Sequence, residues 1–125
     1  MDGNLENGKA VYEAFLGGDM DRLKTLFAED AEWYASDQLP LGGTVKGRDK
    51  IIGDFGQMGE YWTDFELTPE EFIDGGDWVV VRGTQKGAGK SGSFECRFSH
   101  LMRFEDGKLV RGEFFNDTAL AKQAL

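Results

Sequence analysis

The chain has 125 residues, 40% of them hydrophobic, with ten Phe, three Trp and three Tyr, and its formal net charge is −9. That length suits a single domain, residues 1–125, with a core of its own. An acidic balance repels phosphate backbones, so nucleic acid is not an expected partner, and no apolar run approaches the about 20 residues of a membrane span.

Cys96 is the only cysteine, so no internal disulfide can form. With the polar start Met1–Lys9, this points to a reducing, cytoplasmic setting without a signal peptide. Val11, Tyr12, Phe15 and Leu16 recur at helical spacing and predict an amphipathic helix that Gly17-Gly18 stops. Asp19 suits the N-cap of a short second helix carrying Met20, Leu23, Leu26 and Phe27. Ala31 to Ser36 reads as a strand. Asp37 to Gly47, with Pro40 and three glycines, reads as a loop. Ile51, Ile52, Phe55, Met58 and Trp62 mark a third helix.

After Trp62 the period becomes extended. Phe65–Asp74 is a strand interrupted by Pro69, and Gly75-Gly76-Asp77 is a turn. Trp78 to Lys86 is a strand built on Val79-Val80-Val81, and Gly87 to Gly92 is a flexible turn. From Ser93 to Glu105, Phe94, Cys96, Phe98, His100, Met102 and Phe104 share one face. Asp106-Gly107 is a hairpin signal, Lys108 to Asn116 is the last strand, and Asp117 or Thr118 would cap a final short helix. Helices first and then a run of strands make an α+β domain, and a curled sheet covered by helices leaves a pocket at its mouth.

His100, the only histidine, has Phe98 and Met102 as neighbours on its face. A partly desolvated imidazole suits acid–base work or a hydrogen bond to a developing oxyanion, and its alternative is a satisfied core residue. Asn116 shares parity with Gly112 and Phe114 and could orient a ligand or water. Asp37 could reach the pocket mouth or serve as a turn residue. Trp33, Phe15, Phe55, Met58, Trp62, Phe98, Met102 and Phe114 are candidate pocket walls, with plain core packing as the alternative. Gly87-Ala88-Gly89-Lys90-Ser91 resembles the end of a phosphate loop, but Thr84 stands where the first Gly belongs and a strand follows. No metal site is expected, since Cys96 and His100 sit about 13 Å apart along one strand face.

Several phrases in order resemble the nuclear-transport-factor-2-like superfamily in its SnoaL-like, ketosteroid-isomerase-like branch. They are Gly18-Asp19-Met20-Asp21, Leu26-Phe27-Ala28-Glu29-Asp30-Ala31, Gly47-Arg48-Asp49-Lys50-Ile51-Ile52, His100-Leu101-Met102-Arg103-Phe104, Asp106-Gly107-Lys108-Leu109-Val110 and Phe114-Phe115-Asn116-Asp117-Thr118. The resemblance implies an NTF2-like (cystatin-like) conical roll, a curved mixed or antiparallel sheet covered by three N-terminal helices. It also implies a deep pocket and a homodimer formed through the outer sheet face. His100 takes the place of the oxyanion-bonding acid of ketosteroid isomerases. Their base aligns near Ala35, and their oxyanion-hole Tyr falls near Val11, one step from Tyr12, so steroid isomerase chemistry of that type does not carry over. The resulting expectation is a cofactor-independent isomerase, cyclase or lyase. It would move protons on a small hydrophobic carbonyl or polyketide-like ligand, with His100, Asp37, Asn116 and Tyr12 as candidate catalytic residues. The alternative is a non-catalytic ligand-binding or dimeric assembly domain.

Overall fold

The computed structural model describes residues 3–125; Met1 and Asp2, the start of the polar N-terminal segment, lie outside the described residues. Helix α1 (Gly3–Leu16) buries Val11, Tyr12 and Ala14 against the sheet. Leu16, expected on the same face, is exposed where the chain turns away at Gly17-Gly18. Asp19 caps α2 (Met20–Leu26), its carboxylate accepting from the Arg22 amide at 3.0 Å.

Phe27 does not continue that helix. It opens strand β1 (Phe27–Ala35), where it pairs with Leu109 and is fully buried. Helical and extended periods share the Leu26-Phe27 pair, and pairing with a distant strand decides between them. The segment read as a loop contains a short strand, β2 (Gly43–Lys46), which pairs antiparallel to β1 with Val45 opposite Trp33. Four residues flanked by glycines carry too little periodicity to show this. Helix α3 (Arg48–Gln57) ends earlier than expected and passes through a single 3-10 turn, Met58–Glu60, so Trp62 lies beyond the helix.

The remaining strands are β3 (Thr63–Gly75), β4 (Trp78–Gly89), β5 (Gly92–Glu105) and β6 (Lys108–Asn116). Pro69 does not interrupt β3. It sits beside a register shift on an edge strand, where a missing N–H is tolerated. The turn after β4 shrinks to Lys90-Ser91, because β4 and β5 pair out to Gly89 and Gly92. Between β5 and β6, Asp106 and Gly107 both take positive φ (51° and 78°), the conformation of a tight hairpin turn. Asp117 caps α4 (Thr118–Ala124), accepting from the Leu120 amide at 3.3 Å.

The six strands form one curved sheet in the order β2-β1-β6-β5-β4-β3. Only β1 and β6 run parallel; every other pairing is antiparallel. The helices number four among the described residues: three in the N-terminal half and α4, the final short helix expected after Asp117, which packs on β5. On the inner face of β5, Phe94, Cys96, Phe98, His100, Met102 and Phe104 are all buried, as the alternation predicts. Fully buried Phe27, Met102, Phe104 and Leu109 anchor the core, each contributing roughly 2–3 kcal/mol by removal from water. Among the described residues no helix is long and apolar enough to cross a membrane.

Candidate active site

The concave side of the sheet is not filled. A cavity of about 130 Å³ lies between it and helices α1 and α3, close to the ~150 Å³ of a cavity that takes one benzene ring. Its walls are mostly apolar. Trp33, Phe55 and Phe114 form the aromatic part, Val11, Leu23, Ile51 and Val45 the aliphatic part, and half-buried Pro40, Leu41, Met58, Trp62 and Phe65 also line it.

Trp33 lies against Gly112, its partner on β6; a Cβ there would come within 2.5 Å of the indole. The glycine therefore makes the space in which the ring packs. The indole meets the His100 ring edge-on at 4.7 Å and the Phe55 ring at 5.0 Å.

His100 lines the cavity while only 3% exposed. The Tyr12 hydroxyl, brought in by α1, lies 2.7 Å from its Nδ1, and its Nε2 has no partner. Burial pushes the imidazole down to about 3, so the ring is neutral at physiological pH, and burial also pushes the Tyr12 phenol well above its ordinary value. A neutral imidazole carries one N–H. If Tyr12 donates to Nδ1, both groups are satisfied on that side and the N–H sits on Nε2, where nothing among the described residues accepts it.

Three further polar groups matter. Asp54 lines the cavity from the helix side, its side chain 13% exposed and 3.4 Å from the Nζ of exposed Lys50. Among the described residues it is the one carboxylate lining the cavity. Gln85, buried on the inner face of β4, also lines the cavity, and its Oε1 accepts from Asn116 Nδ2 at 2.8 Å.

Of the residues singled out in sequence, the structure brings Tyr12, His100, Trp33, Phe15, Phe55, Met58, Trp62 and Phe114 to one cavity. Four do not line it. Asp37 is exposed on the β1–β2 connection, with Gln38 as its hydrogen-bond partner. Phe98 lies beneath, its ring stacked on those of Tyr12 and Phe114, and Met102 is fully buried in the core beside Gly8 and Val79. Asn116 acts one step removed, through Gln85. Sequence reasoning passed over Asp54 and Gln85, although both had a signal. Asp54 falls on the stripe of Ile51 and Met58, and Gln85 has the parity of Val79 and Val81.

The SnoaL-like domain family matches residues 9–112, most of the chain. The chain belongs to this family. A curated relative of this SnoaL-like domain, Rv0034 of Mycobacterium tuberculosis, is 25% identical over 121 residues, covering 94% of this chain and 92% of that one. An NTF2-like protein from Burkholderia thailandensis superposes with a TM-score of 0.92 at 31% identity, covering 99% of this chain and 98% of the other. TerC, crystallised with polyporic acid, superposes at 0.85 with 29% identity over 96% of this chain and 95% of that one. The fold is therefore NTF2-like, as the phrase-by-phrase resemblance implied.

Proposed function

We propose that this SnoaL-like domain is a cofactor-independent enzyme that moves a proton next to the carbonyl of a small apolar compound. The observation that carries the reading is the His100 pair: a neutral imidazole pinned at Nδ1 by Tyr12, with its unpartnered Nε2 buried at an apolar cavity. A carbonyl oxygen placed at Nε2 would accept the hydrogen bond that the protein leaves open. As the α-proton leaves, charge accumulates on that oxygen, and a fixed donor in a dry site stabilises it far more than water does. Asp54, the cavity carboxylate, is the general base in this scheme. It takes the α-proton and returns it to carbon, which completes an isomerisation, or a related cyclisation or elimination step. The aromatic walls exclude water and hold a flat ligand.

The reading is supported further by TerC, a protein of related fold that was crystallised with a small organic acid, polyporic acid. A binding role without turnover is the second reading. It is favoured by the ion pair between Asp54 and Lys50, which holds the carboxylate away from base work. The homodimer would form on the outer sheet face, where the Tyr34 and exposed Phe115 rings lie 5.8 Å apart.

Exchange of the α-protons of acetophenone in D2O, followed by NMR, separates the two readings without knowledge of the natural substrate. The expected result is exchange above the buffer rate, slowed about 10²- to 10³-fold in His100→Leu and comparably in Asp54→Asn. Exchange no faster than buffer, with the ketone bound, would leave the binding reading in its place.

A further inference from the structure

Further along the sheet from His100, the cavity lining includes a second polar group that the proton-transfer scheme does not use. Gln85 is only 5% exposed, and its Oε1 is doubly engaged, by Asn116 Nδ2 at 2.8 Å and by the Cys96 thiol at 3.8 Å. Asn116 is held in turn, its Oδ1 accepting from the Thr118 hydroxyl at 3.4 Å. In this arrangement the Gln85 oxygen faces Asn116 and Cys96, and its amide nitrogen is turned away from both. The Gln85 amide nitrogen has no hydrogen-bond partner among the described residues, and the residue lines the cavity.

Cys96 is opposite Gln85 in the β4–β5 register, and His100 lies four residues further along the same face. At strand rise that is about 13 Å of backbone, which the two side chains shorten as they reach inward. The cavity lining thus holds two donors separated along the strands, and the rest of it is mostly apolar and aromatic.

We infer that the site is built for a two-ended ligand, an aromatic compound with hydrogen-bond acceptors at opposite ends: one oxygen meets His100 Nε2–H, the other the Gln85 amide. Gln85 thus reads the far end of the ligand, and Asn116 is its positioning residue. The inference rests on the reading of this cavity as a ligand site. A single-ended ketone leaves the Gln85 amide buried under ligand without an acceptor, an unfavourable state that selects against it.

Acetophenone and 1,4-diacetylbenzene differ by the second acetyl group and form the test pair. In a 1H–15N chemical-shift titration, the wild-type protein is expected to bind the diketone about tenfold more tightly. Only the diketone should move the Gln85 side-chain NH2 resonances. Gln85→Met, of similar length but apolar, should abolish the preference, weakening binding of the diketone and relieving the penalty on acetophenone. If Gln85→Met does not fold, Asn116→Ala, which releases the amide without removing it, should reduce the preference. Equal affinity for both ketones in the wild type, or an undiminished preference in the variant that folds, overturns the role of Gln85 and leaves the His100 site standing. Failure of either compound to bind the wild type overturns the ligand-site reading itself, and this inference with it.

Discussion

His100 and Met102 stand two residues apart on the same face of β5, and their surroundings are opposite. Met102 is fully buried, and its methyl group lies within van der Waals reach of helix α1 at Gly8. His100 is almost as buried, yet one of its nitrogens has no partner and its ring borders a cavity. The strand and its alternation are the same at both. What differs is the layer above: at Met102 the glycine of α1 lets the helix come close, whereas around His100 the helices stand off on the rings of Tyr12, Phe15 and Phe55. Burial alone therefore separates neither core from site nor filled space from empty space. A buried polar atom without a partner does.

Mutations can sharpen that contrast. Met102→Ala empties a filled position and is expected to cost about 2–5 kcal/mol in urea unfolding. The double variant Tyr12→Phe/His100→Leu removes both partners of a buried hydrogen bond at once, which is expected to change stability by under about 1.5 kcal/mol while α-proton exchange is lost. If the double variant were as destabilised as Met102→Ala, the His100 pair would be a structural element and not a site held in readiness.

Gly112→Ala tests the wall between the two regions. An added methyl meets the Trp33 ring at contact distances far below van der Waals. Displacement of the indole is expected to cost about 1–3 kcal/mol and to weaken ketone binding, both measurable in one titration with the folded variant. Unchanged binding would show that Trp33 does not shape the cavity.

The pH dependence tests the same contrast by another route. Burial holds His100 at about 3, against 6.5 for the free side chain. Between those values the unfolded chain binds a proton that the native protein does not. Stability from this group is therefore complete above 6.5 and falls as pH drops toward 3, by about 1.4 kcal/mol per pH unit. The Tyr12→Phe/His100→Leu variant should lack this component, so its unfolding midpoint should decline less steeply than that of the wild type below pH 6. Parallel declines would mean that His100 is solvated and protonates like a free histidine.

The fold was largely readable from sequence, because its signals are local and repeated. Alternation from Phe94 to Phe104, the Asp106-Gly107 turn and the Asp19 and Asp117 caps each state a backbone conformation within a few residues. The misread elements, Phe27, β2 and the path after Gln57, are those whose conformation depends on a partner far along the chain. The site was half readable. Parity placed His100 and Trp33 on the inner face, and the resemblance pointed to the first helix near Tyr12. The Tyr12–His100 hydrogen bond spans 88 residues, and no spacing rule reaches across it.

The amino-acid sequence by itself determined most of the order of elements and their inward faces, because these follow from periodicity and turn chemistry, and its ordered phrases carried the resemblance to the family. Only the tertiary structure decided which inward residues line empty space and which fill it. That choice moved Asp37 to the surface and Phe98 and Met102 into the core, and it brought Asp54 and Gln85 to the cavity. The physical reason is that a cavity is a property of the distance between layers, set by side chains from α1, α2, α3 and all six strands together, whereas each stretch of sequence specifies only its own face.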